Sequence, residues 1–192
     1  DVAAIDSDTE LIATRWARRL QIDRLQATLP RVAGSDANGQ PITWIVNGKD
    51  GLSDDVFGVV LGRPDYVVRT EENPAPSSLY LKFMRDMARD VCTKMVAADM
   101  ARDESAEHTL WRFVPVDGTA TDTQITENLQ YLLLRFLGMK VDASHELVID
   151  YRTVFDAGIS STGLESSTTK AQAEGWRGVC IGLFESPLFH IH

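Results

Sequence analysis

The sequence has no hydrophobic run long enough to cross a bilayer. Its longest apolar stretches, "YLLL" at 131–134 and "VCIGLF" at 179–184, are closely followed by arginine or glutamate. A transmembrane helix needs about 20 predominantly apolar residues. We therefore predict that the chain has no transmembrane segment.

The chain also has few basic residues for its acidic content. It carries 19 lysines and arginines against 28 aspartates and glutamates, a formal net charge of -9. Because proteins bind nucleic acids by neutralising phosphates with lysine and arginine, this balance argues against a nucleic-acid partner. The remaining composition is that of a globular protein, and we expect one folded domain over residues 1–192.

Motifs for catalysis or cofactor binding are missing as well. The sequence contains no GxSxG elbow, no phosphate-binding glycine loop, no GxGxxG, no HExxH and no CxxC pair. It therefore predicts no catalytic residue and no cofactor, while a metal ion or haem held by residues far apart in the chain stays open. His190 and His192 are the closest histidine pair and could bind a metal ion if the end of the chain is extended. The alternative is a terminal tail without a ligand.

Only two cysteines are present, Cys92 and Cys180, and each lies on the apolar side of a predicted helix. If those helices pack together, a disulfide is favoured over two separate buried thiols, and it indicates an oxidising compartment. The first residues, "DVAAIDSD", include no initiator methionine, as in a chain cleaved from its signal peptide or a shortened chain. We therefore expect an exported protein, in the periplasm or at the surface of a bacterial cell.

Hydrophobic periodicity predicts a mainly α-helical fold, an orthogonal or irregular bundle of five to six helices. The longest helix has a buried stripe of Tyr80, Met84, Met87, Val91 and Met95, with Leu81, Ala88 and Cys92 on the adjoining side. Thr121 and Gln124 form a capping-box pattern, Asp142 or Ser144 is the expected cap of the next helix, and Gly158 is its expected stop. The predicted helices cover residues 7–25, 55–62, 78–102, 122–138, 144–158 and 171–186, with Ser53 or Asp54 as the expected cap of the second.

Two other regions of the chain have a distinct character. Residues 30–66 form an irregular insert in this prediction, with a hairpin or loop near residues 38–50, since Asn38-Gly39 and Asn47-Gly48 flank a β-prone run. The first helix has a basic face, which is typical of a solvated surface but could also meet an acidic partner or an acidic patch of its own chain. That face consists of Arg15, Arg18, Arg19 and Arg24.

The last predicted helix has two neighbouring faces that are suited to burial. Trp176 begins an apolar stripe, and Gly175, Gly178 and Gly182 lie on a second, small-residue face about 100° around the helix. Each glycine costs about 1 kcal/mol relative to alanine, so three of them indicate a close backbone contact. We predict that this helix is at the centre of the bundle; a flat cofactor against the glycine face is the alternative.

The helix is followed by large apolar residues near the end of the chain. Leu188 and Phe189 either fold back on the core or dock on a partner, and we expect the partner. Deletion of residues 187–192 should then leave the helical fold intact and abolish assembly.

Three segments resemble a known type of domain. "VVLGRPDY", "NLQYLLLRFLG" and "WRGVCIGLFESPLF" resemble parts of uncharacterised α-helical domains in large secreted proteins of planctomycetes and myxobacteria, often beside cytochrome-c-like modules. In that family a late helix closes with a small residue, Pro, any residue and Phe, as residues 186–189 do here. The resemblance implies an exported helical module near redox or surface assemblies, although the haem-attachment motif is absent from this chain.

The function predicted from these features is that of a non-enzymatic structural or protein-interaction subunit of an exported assembly, with protein partners. Two alternatives stay open. One is a noncovalent redox or metal-binding accessory protein, and the other is a hydrolase whose site is assembled from distant residues.

Overall fold

The computed structural model describes residues 19–67, 70–72, 77–103 and 107–190. Within these ranges the protein has six helices and one two-stranded antiparallel hairpin, which confirms the predicted fold class. The helices are α1 (Ile22–Ala33), α2 (Ser78–Met100), α3 (Asp122–Leu137), α4 (Glu146–Ser161), α5 (Thr169–Glu185) and α6 (Pro187–His190), and the strands are β1 (Ile45–Val46) and β2 (Lys49–Asp50).

The first predicted helix, residues 7–25, lies mostly outside the described residues. A helix does begin at Ile22, but it continues to Ala33, so the predicted end was wrong. Pro30 lies inside this helix without ending it. The helix stops at Gly34, whose φ of +80° is a left-handed conformation that glycine adopts without strain.

Helix α2 is the longest helix, and its predicted stripe from Tyr80 is buried, with exposed fractions of 2% or less. Ser77 caps it by accepting a hydrogen bond from the Tyr80 N–H at 3.0 Å. The prediction for Leu81 was wrong, because this side chain is 56% exposed. Glu185, the last residue of α5, forms an ion pair of 3.3 Å with Arg85 of α2. Helix α5 therefore ends opposite Arg85 and does not cover Leu81, which lies one helical turn earlier in α2.

Helix α3 has the predicted capping box. Gln124 donates its backbone N–H to the Thr121 hydroxyl at 3.3 Å, and its side-chain oxygen accepts the Thr121 N–H at 2.9 Å. Gly138 ends the helix in the left-handed conformation. Local signals at both ends therefore set the bounds of α3.

Both predicted ends of α4 were wrong. His145 is the cap, while Asp142 forms a tight turn by accepting hydrogen bonds from the N–H and hydroxyl of Ser144. The helix passes through Gly158 and continues to Ser161. The glycine is tolerated inside the helix because it makes a close packing contact, which is described below.

The hairpin in the insert has the tight turn that its sequence favours. Asn47 and Gly48 have φ values of 53° and 77°, the left-handed pair that a two-residue hairpin turn requires. Trp44 precedes the hairpin and is buried, with its ring 5.7 Å from Phe57 and 6.0 Å from Phe83 of α2. The aromatic cluster thus holds the insert against the helical core.

The short helix predicted between Ser53 and Gly62 was wrong, since these residues form consecutive turns. The Gly58 N–H bonds to the Ser53 carbonyl at 2.7 Å, one residue further back than an α-helix would bond. Asp54, one of the two expected caps, instead accepts a hydrogen bond from Arg63 at 2.7 Å. A contact nine residues away thus replaced the local capping interaction.

Candidate partner-binding groove

Helix α5 lies between α4 and α2, and its glycine face packs against α4. A Cβ atom at Gly175 would lie 2.8 Å from two ring carbons of Phe155, and one at Gly182 would lie 3.2 Å from Tyr151. At Gly178 the nearest atom would be 3.7 Å away, an ordinary contact. The close approach on this face is therefore made by another helix of the same chain.

Gly158 of α4, which was expected only as a helix stop, completes this contact. A Cβ atom there would lie 2.9 Å from the carbonyl oxygen of Glu174. The sequence carried a signal for this packing role: Gly158 follows Tyr151 by seven residues, about two helical turns, so both residues lie on one face of α4. Trp176, the other predicted packing residue, is fully buried, with its ring 4.4 Å from that of Phe155.

The opposite side of α5 is joined to α2 through the two cysteines. The sulfur atoms of Cys92 and Cys180 lie 2.01 Å apart, at disulfide-bonding distance, and their Cα atoms lie 5.9 Å apart. Both side chains are fully buried, and the sulfur of Met95 packs 3.7 Å from that of Cys180. Helix α5 is thus fixed by close packing on one side and by this pair on the other.

The end of the described chain folds back on the core. Pro187 begins the short helix α6, where its fixed φ suits a first helical position. Phe189 is only 3% exposed and packs edge-on against Phe184 of α5, with the ring centres 5.1 Å apart. The expectation that Phe189 docks on a partner is therefore wrong, whereas Leu188 remains 47% exposed.

His190 is buried beneath this turn and hydrogen-bonded within the protein. Its Nδ1 lies 2.9 Å from the Tyr80 hydroxyl, and its Nε2 lies 2.6 Å from the Phe184 carbonyl oxygen. Because a carbonyl only accepts, Nε2 carries the proton and Nδ1 accepts from the tyrosine. Burial raises the pKa of Tyr80 to about 12, which keeps it a donor. A metal ion at His190 would have to displace one of these bonds, and His192 lies outside the described residues.

An ion pair lies on the other side of Tyr80. The guanidinium of Arg19 stands 4.8 Å from the centre of the Tyr80 ring and 3.0 Å from the carboxylate of Glu72. Arg19 is only 4% exposed, so it does not belong to a solvated basic face. The carboxylate also accepts the Ile22 N–H at 2.8 Å and so caps α1. These contacts bring the start of α1, α2 and α6 together.

An open groove lies beside this junction. It has a volume of about 310 Å³, and Thr28 of α1 is the one polar side chain that lines it. Phe136 and Phe189 are buried at its base, and Leu188 stands half exposed beside them. The full lining is Leu20, Thr28, Phe136, Leu137, Gly138, Leu188 and Phe189. Leu188 and Phe189 were predicted as contact residues from the sequence, whereas the wall from α3 was not, because it depends on the packing of α6 against that helix.

Asp99 was also missed, although its place on the buried stripe, four residues after Met95, was a signal. Its carboxylate accepts the N–H groups of Thr109 at 2.8 Å and Leu110 at 2.6 Å, and Arg102 donates to it at 2.9 Å. Burial raises the pKa of Asp99, and the two N–H groups offset part of that rise. All these contacts are internal, so Asp99 holds the following loop against the end of α2.

Two classes of feature are absent from the part of the chain that the structure covers. No three histidine, cysteine, aspartate or glutamate side chains there converge as metal ligands would. None of the helices described above combines the length and apolarity that a membrane span requires.

Comparison of the chain with protein-family models, curated proteins and solved structures found no match. The similarity to helical domains of secreted planctomycete and myxobacterial proteins therefore stays a prediction. The candidate site rests on its own geometry.

Proposed function

We propose that the protein is a non-enzymatic structural or protein-interaction subunit of an exported assembly, in the periplasm or at the surface of a bacterial cell. The observation that carries this proposal is the groove between α1, α3 and α6. Leu188 is exposed at 47% beside the buried rings of Phe136 and Phe189. A concave apolar surface of this kind is suited to receive an anchoring side chain of a partner.

The lining of the groove supports a protein partner rather than a small molecule. Small-molecule pockets usually combine an apolar wall with several polar groups that fix the ligand's orientation. Here Thr28 is the one polar side chain among the lining residues. Apolar side chains of another protein need no such groups, so they suit the groove better.

The cysteine pair supports the exported location. Cys92 and Cys180 are at disulfide-bonding distance and deeply buried. Structural disulfides persist in the periplasm and outside the cell, whereas cytosolic reductants keep most thiols free. A structural bond between the two longest helices therefore favours an oxidising compartment.

The proposal is tested in the source organism with a tagged full-length chain. Cell fractionation, chemical cross-linking and size-exclusion chromatography should recover the chain outside the cytoplasm in a complex of fixed stoichiometry. Leu188→Glu should release it from that complex, because a carboxylate in the groove loses the apolar contact. Ile149→Glu is the matched control, since Ile149 is 59% exposed on α4 and does not line the groove.

The controls decide between the groove and a general loss of stability. Circular dichroism should show both variants folded, because substitutions of exposed side chains usually change stability little. A wild-type chain that is monomeric in the exported fraction would contradict the interaction role. An assembly lost equally in both variants would contradict the groove as its contact surface.

A further inference from the structure

Basic side chains flank the apolar groove of this acidic protein. Arg24 and Arg31 of α1 lie four residues before and three residues after Thr28, which places all three on one helical face. Lys140 follows Gly138, a residue of the opposite wall, by two positions. All three basic residues are exposed. The groove thus has an apolar floor and a positively charged rim.

The rim charges are not used inside the protein. Among the ion pairs of the described residues, none includes Arg24, Arg31 or Lys140. By contrast, Arg63 close to the same helix pairs with both Asp23 and Asp54. The described part of the chain therefore offers carboxylates to basic side chains, but none of those carboxylates pairs with these three.

Helix dipoles account for only two of the three charges. Arg31 lies in the last turn of α1 and Lys140 lies just past the end of α3, where a positive charge is favourable. Arg24 lies in the first turn of α1, where the helix dipole disfavours a positive charge. The dipole therefore gives no reason for a positive charge at this position.

We propose that the groove binds an acidic amphipathic segment of a partner protein. Apolar side chains of that segment enter the groove beside Leu188, and its carboxylates reach Arg24, Arg31 and Lys140. This is the helix-in-groove mode of recognition, with charges at the edge that select the partner. The inference rests on the proposed interaction role and adds the chemistry of the partner.

Two synthetic helical peptides of equal length test the charge preference. Both carry leucine at positions i, i+3, i+4 and i+7, and the remaining positions are glutamate in one and lysine in the other. Fluorescence anisotropy with the oxidised full chain at low salt should show at least about tenfold tighter binding of the glutamate peptide. The difference should shrink as salt is raised, because exposed charges are screened. The net charge of -9 attracts the lysine peptide, so nonspecific attraction would give the opposite order.

Variants locate the effect at the rim. Arg24→Gln combined with Arg31→Gln should weaken the glutamate peptide several-fold, since each exposed pair contributes roughly 1.5- to 5-fold. Arg89→Gln is the control, because Arg89 is an exposed arginine of α2 that takes part in none of the ion pairs found among the described residues. Leu188→Gln should weaken both peptides.

Three results would overturn the inference: equal or tighter binding of the lysine peptide, equal effects of the rim and control variants, or no binding of either peptide. Light scattering adds a fourth, because self-association abolished by Leu188→Gln would identify a second copy as the occupant. If the peptides show no charge preference but the native assembly still depends on Leu188, only the acidic character of the partner is refuted. Absence of the assembly itself would refute the proposed function.

Discussion

Loss of the Cys92–Cys180 bond should cost the protein a large part of its stability. The two residues are 88 positions apart, so the bond closes a long loop in the unfolded chain. With ΔS of about −2.1 − 1.5R ln n cal/mol/K, a loop of this length gives ~4.6 kcal/mol at 25 °C. Domains are typically stable by about 5–15 kcal/mol. At roughly 2–4 °C per kcal/mol for a chain of this size, Tm should fall by roughly 9–18 °C.

The assay compares oxidised and reduced protein by thermal unfolding. Because both sulfurs are fully buried, reduction is carried out in denaturant and the chain is refolded with reductant present. Cys92→Ala combined with Cys180→Ala serves as the control, since its Tm should not respond to reductant. A fall of less than about 4 °C on reduction, or two reactive thiols per chain in denaturant without reductant, would refute the reasoning, because the entropy term scales with the closed loop.

Three further predictions concern the core and the C-terminal turn. Gly158→Ala should destabilise the protein by about 1–3 kcal/mol in denaturant titrations, because its Cβ would lie 2.9 Å from backbone atoms of α5. Gly178→Ala should be neutral or stabilising by up to ~1 kcal/mol, because its Cβ would make only ordinary contacts. Equal effects of the two substitutions would contradict the packing. Phe189→Ala should cost about 3–5 kcal/mol and Leu188→Ala much less, since Phe189 is 3% exposed and Leu188 is 47% exposed. The reverse order would place Phe189 at a partner surface. In an alkaline absorbance titration the Tyr80 phenol should ionise near pH 12 rather than 10. The free energy of unfolding should fall as pH rises from about 10 to 12, because the pKa of Tyr80 is higher in the folded state than in the unfolded state. Tyr80→Phe should remove this late transition.

Elements whose ends are set by local chemistry were predictable from the sequence. The capping box of Thr121 and Gln124 and the left-handed Gly138 define α3, and the stripe from Tyr80 to Met95 defines α2. Elements whose ends depend on distant partners were not predictable. Ser53 or Asp54 was expected to cap a helix, but Arg63 donates to the Asp54 carboxylate, and the backbone there forms turns.

The candidate site shows the same division. The large apolar residues near the end of the chain were visible as a candidate contact, and Leu188 is indeed exposed beside the groove. The partner of His190, the Tyr80 hydroxyl, is 110 residues away in sequence, and no periodicity connects the two. The opposite fates of adjacent Leu188 and Phe189 follow from the helical turn of α6, which points only one of them at α5.

The groove wall formed by α6 is held in place by contacts in the core. Helix α5 is held by its close contact with α4 and by Cys180, and Phe184 of α5 accepts the His190 hydrogen bond at 2.6 Å. Tyr80 of α2 holds the other nitrogen of the same ring, so α6 is attached to both helices that the cysteine pair joins. A partner would therefore meet a wall whose backbone is already ordered, and only exposed side chains such as Leu188 would lose freedom on binding. Preorganisation of this kind strengthens binding because less conformational entropy is lost in the complex. The buried bond between α2 and α5 would therefore contribute to recognition as well as to stability.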